Sequence, residues 1–120
     1  MNVEEKIKEV GESAFKYERD HGNCPQVVCA AFKDTFGYPS EDVFQAASGI
    51  AGGMGKTGNC CGALIGGALV IGSKCGRKYE NFDQDSPLEC DGMVKDLVKK
   101  FKEEYGSVDC KDIQEKIMGR

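Results

Sequence analysis

The chain has 120 residues, with 16 Lys and Arg against 20 Asp and Glu, for a net charge of −4. That length suits one domain, residues 1–120, able to bury its own core without disulfides. The acidic balance and the lack of any Lys/Arg-rich block argue against a nucleic-acid partner and against an anionic membrane surface.

Taken in chain order, the first segment carries Val3, Ile7, Val10 and Ala14 at helical spacing with Glu and Lys between them, which predicts a helix to about Arg19. The N-terminus is charged and has no signal-peptide core, so a cytoplasmic protein is expected. A second helix starts at Pro25, a favoured first helical residue, and ends before Gly37, with Val28, Ala31, Phe32 and Phe36 as its apolar face. A short third helix is capped by Ser40 and carries Val43, Phe44, Ala46 and Ala47. A glycine-rich stretch from Gly49 to Gly58 follows.

The fourth helix is expected from about Cys60 to Ser73. Its small residues, Gly62, Ala63, Gly66, Gly67 and Ala68, would let a neighbouring helix approach closely, so it reads as central. Its apolar run from Ala63 to Ile71 is too short to cross a bilayer, and no membrane insertion is expected. Residues Gly76 to Asp85 read as a polar loop. Ser86, Pro87, Leu88 and Glu89 form a capping box that opens a fifth helix, running to about Tyr105 with Val94, Leu97, Val98 and Phe101 on one face. Ser107 caps a last short helix with Ile113 and Ile117. No strand pattern competes. The fold class is therefore all-α, a single-domain bundle of five to six helices with a Gly-rich loop before the central helix.

Seven cysteines are unusual in such a chain. In a reducing compartment they would not persist as structural disulfides, and the odd number fits that view. Four of them share two properties. Cys24, Cys61, Cys90 and Cys110 each lie near a helix N-terminus and point along the face their helix buries, so they can converge at one pole if the helix directions allow it. A helix N-terminus offers partial positive charge and unpaired N–H donors, both favouring a thiolate; burial pushes the other way. Cys29 reads as packing, Cys75 sits where the dipole disfavours a thiolate, and Cys60 reads as a resolving thiol or an extra ligand. The chemistry open to such a cluster is metal binding or dithiol redox. Cys24, Cys61 and Cys110 are the leading redox candidates, and Cys24, Cys60, Cys61, Cys90 and Cys110 the candidate metal ligands, for an iron–sulfur cluster or, alternatively, zinc.

Other signals are weaker. Gly53 to Gly58 fits G-x-G-x-x-G but lacks a preceding strand, and a P-loop would need glycine where Ile50 stands. Gly53 and Gly55, with Gly62 at the start of the next helix, are better read as letting the backbone approach a cofactor or partner. His21, the one histidine, reads as solvated. No Cys-x-x-Cys occurs, which speaks against a thioredoxin-type site or a zinc knuckle.

Several of these residues also carry a resemblance. Asn23-Cys24-Pro25, then Gly52-Gly53-Met54-Gly55 followed by Cys61-Gly62-Ala63-Leu64-Ile65-Gly66, then Tyr105-Gly106-Ser107 and Cys110, resemble the redox-active proteins named for their C_GCAxxG_C_C cysteine pattern. A similar module occurs in split-Soret cytochromes, where it implies an iron–sulfur centre. The resemblance maps Cys24, Cys61 and Cys110 onto family cysteines and leaves Cys90 or Cys60 for the fourth. It implies electron transfer or thiol chemistry with an unidentified redox partner protein. The alternatives are a non-enzymatic zinc protein and a helical interaction module, in which the Gly/Ala-rich helix forms a homodimer surface.

Overall fold

The structure is a computed structural model that describes residues 2–84, 86 and 88–119. Among them lie six α-helices: α1 (Val3–Asp20), α2 (Cys24–Phe36), α3 (Glu41–Ala46), α4 (Gly62–Cys75), α5 (Leu88–Tyr105) and α6 (Cys110–Met118). A 3-10 turn, Ala47–Ile50, extends α3, and a second, Tyr79–Asn81, interrupts the α4–α5 loop. The all-α architecture agrees with the sequence pattern. The capping box falls on Pro87, outside the described residues.

Local chemistry explains the helix boundaries. The Asn2 side chain accepts the Glu5 N–H at 2.8 Å and starts α1. Asn23 does the same for Gln26 at the start of α2, at 3.3 Å, and Gly37 closes α2 with a left-handed φ of 83°. The Ser40 hydroxyl accepts the Val43 N–H at the start of α3.

Helix direction decides where the cysteines go. The α2 and α4 helices run parallel. A Cβ on Gly62 would lie 2.8 Å from Pro25 Cδ, one on Gly66 would lie 3.0 Å from the Pro25 carbonyl oxygen, and Lys74 at the far end of α4 stacks over Tyr38, just beyond α2. The α5 helix runs antiparallel to α4, because Gly67 faces Leu97 while Cys75 meets Met93. The starts of α2 and α4 therefore share one pole, and the start of α5 is at the other.

The core is thin. Val10, Val27, Cys29, Ala31, Ala47, Leu64 and Val70 are its buried apolar residues. Helix α2 is covered on two sides, by α1 and α4. That is why Val27 and Cys29 are buried alongside Ala31, whereas Val28, Phe32 and Phe36 of the expected stripe are only half-buried. Helix α1 buries Val10 and leaves Val3 and Ile7 exposed, contrary to its apolar stripe, because α2 covers only part of its length.

Gly62 is where α4 approaches α2 most closely, against a fully buried proline. Alanine there would gain roughly 1 kcal/mol of helix propensity but would press on a rigid ring. We expect Gly62→Ala to be destabilising by about 1–2 kcal/mol, read as a lower urea midpoint with an unchanged m-value.

Candidate functional site

The chain from Gly49 to Cys61 has an unusual path. Five consecutive residues, Gly52 to Lys56, have φ values of 65, 77, 68, 64 and 64°, a left-handed turn. It is closed by N–H donation from Met54 to the Ile50 carbonyl (2.8 Å), from Lys56 to Ala51 (2.9 Å) and from Asn59 to Gly53 (3.1 Å). L-residues other than glycine pay roughly 1–2 kcal/mol each in this region, so Met54 and Lys56 store strain next to the cysteines. Gly53 is obligatory, because a Cβ there would lie 2.5 Å from the Asn59 nitrogen.

The turn delivers residues 58–61 to a short antiparallel bridge with the segment before α6. Cys60 pairs with Asp109. The Cys61 N–H donates to the Val108 carbonyl at 2.7 Å, and the Cys110 N–H donates to the Asn59 carbonyl at 2.6 Å. Cys61 is the N-cap residue of α4, and Cys110 is the first residue of α6. Cys24 opens α2, next to the proline that rests on Gly62. Asn23 fixes that end by donating from Nδ2 to the Ser48 carbonyl at 3.0 Å.

Three helix starts thus bring three sulfurs within electrostatic reach of one another. Burial pushes the Cys24 thiol up from its ordinary value; the Glu18 carboxylate, Cys61 and, more weakly, Cys110 add to the rise. Burial and then Cys61 push Cys110 up. Cys60 is raised by burial, then by Cys61 and Asp109. Cys61 is the neighbour common to all three. Burial and the neighbouring groups both favour the neutral thiol at Cys24 and Cys110. The thiolate favoured by helix position alone is not the outcome.

Two contacts have no counterpart in the cysteine pattern. The Cys24 Sγ lies 4.0 Å from Glu18 Oε1, and Gln114 donates from Nε2 to the Cys110 Sγ at 3.3 Å. Gln114 was findable, since it sits one turn beyond Cys110. Glu18 was not, because its approach depends on how α1 folds back on α2.

Cys90 does not join this group. It lies beside Cys75, about 21 Å along α4 from Cys61 at 1.5 Å per residue. The expectation that Cys90 shares the pole fails because α5 is antiparallel to α4. Cys29 is fully buried in the core. The glycines expected at a cofactor have backbone and packing duties instead: Gly53 and Gly55 are left-handed turn positions, and Gly62 is a helix contact. A cleft of about 430 Å³ beside Ala30, Lys33 and Phe44 contains no cysteine.

A zinc or iron ion bound by thiolates needs its sulfurs gathered about one point, roughly 2.3 Å from each. Among the described residues no group of three or more His, Cys, Asp or Glu side chains meets that requirement. The side chains as placed do not fit the expected metal or iron–sulfur group.

The sequence from Gly22 onward decides the family. Residues 22–120 match the family described as "Putative redox-active protein (C_GCAxxG_C_C)". The chain belongs to this family. Its name writes four cysteines. No curated protein and no solved structure matches the chain. Among the described residues no helix is long and apolar enough to cross a membrane.

Glu18 is open to a direct test. Its negative charge helps hold Cys24 protonated, so Glu18→Gln should speed iodoacetamide labelling of Cys24 by about 2- to 3-fold at pH 7.5, measured by peptide mass spectrometry. An unchanged rate would mean that Glu18 does not help to set this thiol.

Proposed function

We propose that this member of the family is a thiol–disulfide redox protein whose reacting sulfurs are Cys24, Cys61 and Cys110. The supporting observation is that the backbone brings three cysteine-bearing segments together: Pro25, next to Cys24, rests on Gly62, and the Cys61 and Cys110 N–H groups bond across one short bridge. Cys61 is the attacking sulfur. As the thiolate it displaces one sulfur from a substrate disulfide, forming a mixed disulfide and releasing one thiol. Cys24 then attacks Cys61, closing the Cys24–Cys61 bond and releasing the second thiol. Two protein thiols are oxidised, one substrate disulfide is reduced, and the two protons leave on the substrate sulfurs. Cys110, also beside Cys61, is the second resolving thiol. The partner is a protein or small molecule carrying a disulfide, met in a reducing compartment such as the cytoplasm.

Anaerobic purification with metal analysis, a visible spectrum and a free-thiol titration tests this reading. The expected result is no stoichiometric metal and a reversible loss of the Cys24 and Cys61 thiols on oxidation. Iron with inorganic sulfide, or one zinc per chain, would overturn it in favour of a metal centre on the same sulfurs. Retention of function in Cys61→Ser would instead point to a helical interaction module.

Stability should depend on pH through the same groups. Cys24, Cys29, Cys60 and Cys110 have folded-state values above their ordinary one. The folded chain therefore holds these protons more tightly than the unfolded chain. That contribution is complete below the ordinary thiol value of 9.0 and is lost as pH rises through the folded values. The urea midpoint of the reduced protein should therefore fall when the pH is raised from about 8 to about 10.5, and the fall should shrink in Cys24→Ser.

A further inference from the structure

The far end of α4 carries sulfur chemistry that the Cys61 site does not use. Cys75 closes α4, and Cys90 lies in the first turn of α5. Both side chains are only partly buried, and Cys90 stands on the α5 turn just before Met93, which Cys75 touches. The Cys75 Sγ also lies 3.2 Å from the Ile71 carbonyl oxygen, to which it donates, and 3.7 Å from the Met93 Sδ. Met93 stands one turn beyond Cys90 on the same face of α5, so this pole packs sulfur against sulfur.

From this geometry we infer that Cys75 and Cys90 are a second, independent oxidation site, which closes into a disulfide by exchange with a small-molecule disulfide. One of the two, as thiolate, displaces a sulfur from the small disulfide, forming a mixed disulfide and releasing one thiol. The other then attacks the protein sulfur, closing the Cys75–Cys90 bond and releasing the second thiol. Two cysteine thiols are oxidised, the small disulfide is reduced, and its two sulfurs carry away the protons. The two cysteines stand at helix ends already held antiparallel, with Met93, one turn beyond Cys90, 3.7 Å from the Cys75 Sγ. Burial, and then the neighbouring Cys90, push the Cys75 thiol up from its ordinary value.

The bond would have a structural effect. Among the helices α5 packs on α4, and the first turns of α5 expose Leu88 and Met93. A covalent tie at that end would clasp the start of α5 to the end of α4 and close residues 76–89 into a loop. A loop of that size in the unfolded chain raises stability. The inference does not rest on the Cys61 chemistry, and the two fail separately.

The test treats the reduced full-length protein with oxidised glutathione, blocks remaining thiols and digests with trypsin. The expected product is a disulfide joining fragment 75–77 to fragment 79–95, lighter by two hydrogens than the two reduced fragments. It should form equally in Cys24→Ser and Cys61→Ser, and it should raise the thermal midpoint by several degrees. Cys75→Ser and Cys90→Ser should each lose both the linked fragment and the thermal shift. Glutathione remaining on Cys75 with Cys90 free, or either cysteine linked to Cys24, Cys61 or Cys110, would overturn the inference. Because the decisive reading is made on the wild-type chain, a misfolded variant cannot mask it.

Discussion

Replacing Cys61 with serine should abolish disulfide exchange at the Cys24 pole, lowering its rate there on the order of 100-fold and leaving Cys24 and Cys110 as free thiols in the presence of a substrate disulfide. Cys61 is the neighbour common to Cys24, Cys60 and Cys110, so its loss leaves no central sulfur to attack. The substitution should not unfold the chain. Cys61 is the N-cap of α4 and makes no side-chain cap hydrogen bond, and serine is among the best residues for that position. Helix content and the thermal midpoint should hold or rise slightly. Cys24→Ser should behave differently, accumulating the mixed disulfide on Cys61 with Cys110 left as the slower resolving thiol. A Cys61→Ser protein that exchanges at the wild-type rate would remove Cys61 from the chemistry.

Gly53→Ala should cost about 3 kcal/mol and dismantle the site. Two effects add. The φ of 77° is one that alanine adopts only under strain, and the new Cβ would lie 2.5 and 2.6 Å from the Asn59 nitrogen and oxygen. Both neighbours are backbone, so neither can swing aside. The Asn59 oxygen accepts the Cys110 N–H, so displacing it breaks the bridge that holds Cys110 beside Cys61. Urea denaturation would give the energy, and alkylation of Cys110 should accelerate. Gly55→Ala is the control. It shares the left-handed φ, at 64°, but its Cβ would meet only the Gly49 oxygen, at 3.8 Å. It should cost about 1 kcal/mol and leave the cysteines in place.

The helices were legible because each carries its own signals: Pro25 inside a start, Ser40 at a cap, Gly37 just past an end. The positions of Cys24, Cys61 and Cys110 at helix starts were legible for the same reason. Cys90 shares that local signature, and no local feature separates it from the others. Its location depends on whether α5 runs with α4 or against it, which is a property of packing and not of any window of sequence. The partnership of Cys75 with Cys90 was hidden for the same reason. The glycine run announced a turn, but nothing at Met54 or Lys56 announces a left-handed residue. Those two are held by the hydrogen bonds around them. The exposed Val3 and Ile7 mark the limit of reading an apolar stripe as a buried face, since a stripe says which side is apolar and not whether a neighbour covers all of it.

The bridge between Cys60 and Asp109 gives the reacting pole two sides of unequal stiffness. Cys24 and Cys61 stand on parallel helices locked by a proline against a glycine. Cys110 hangs on a few backbone hydrogen bonds, and among the described residues α6 leans extensively on no other helix. Backbone held so lightly opens at far lower free energy than the whole molecule. In the proposed exchange Cys110 is therefore the sulfur that would move aside most easily, with the post formed by Cys24 and Cys61 left standing.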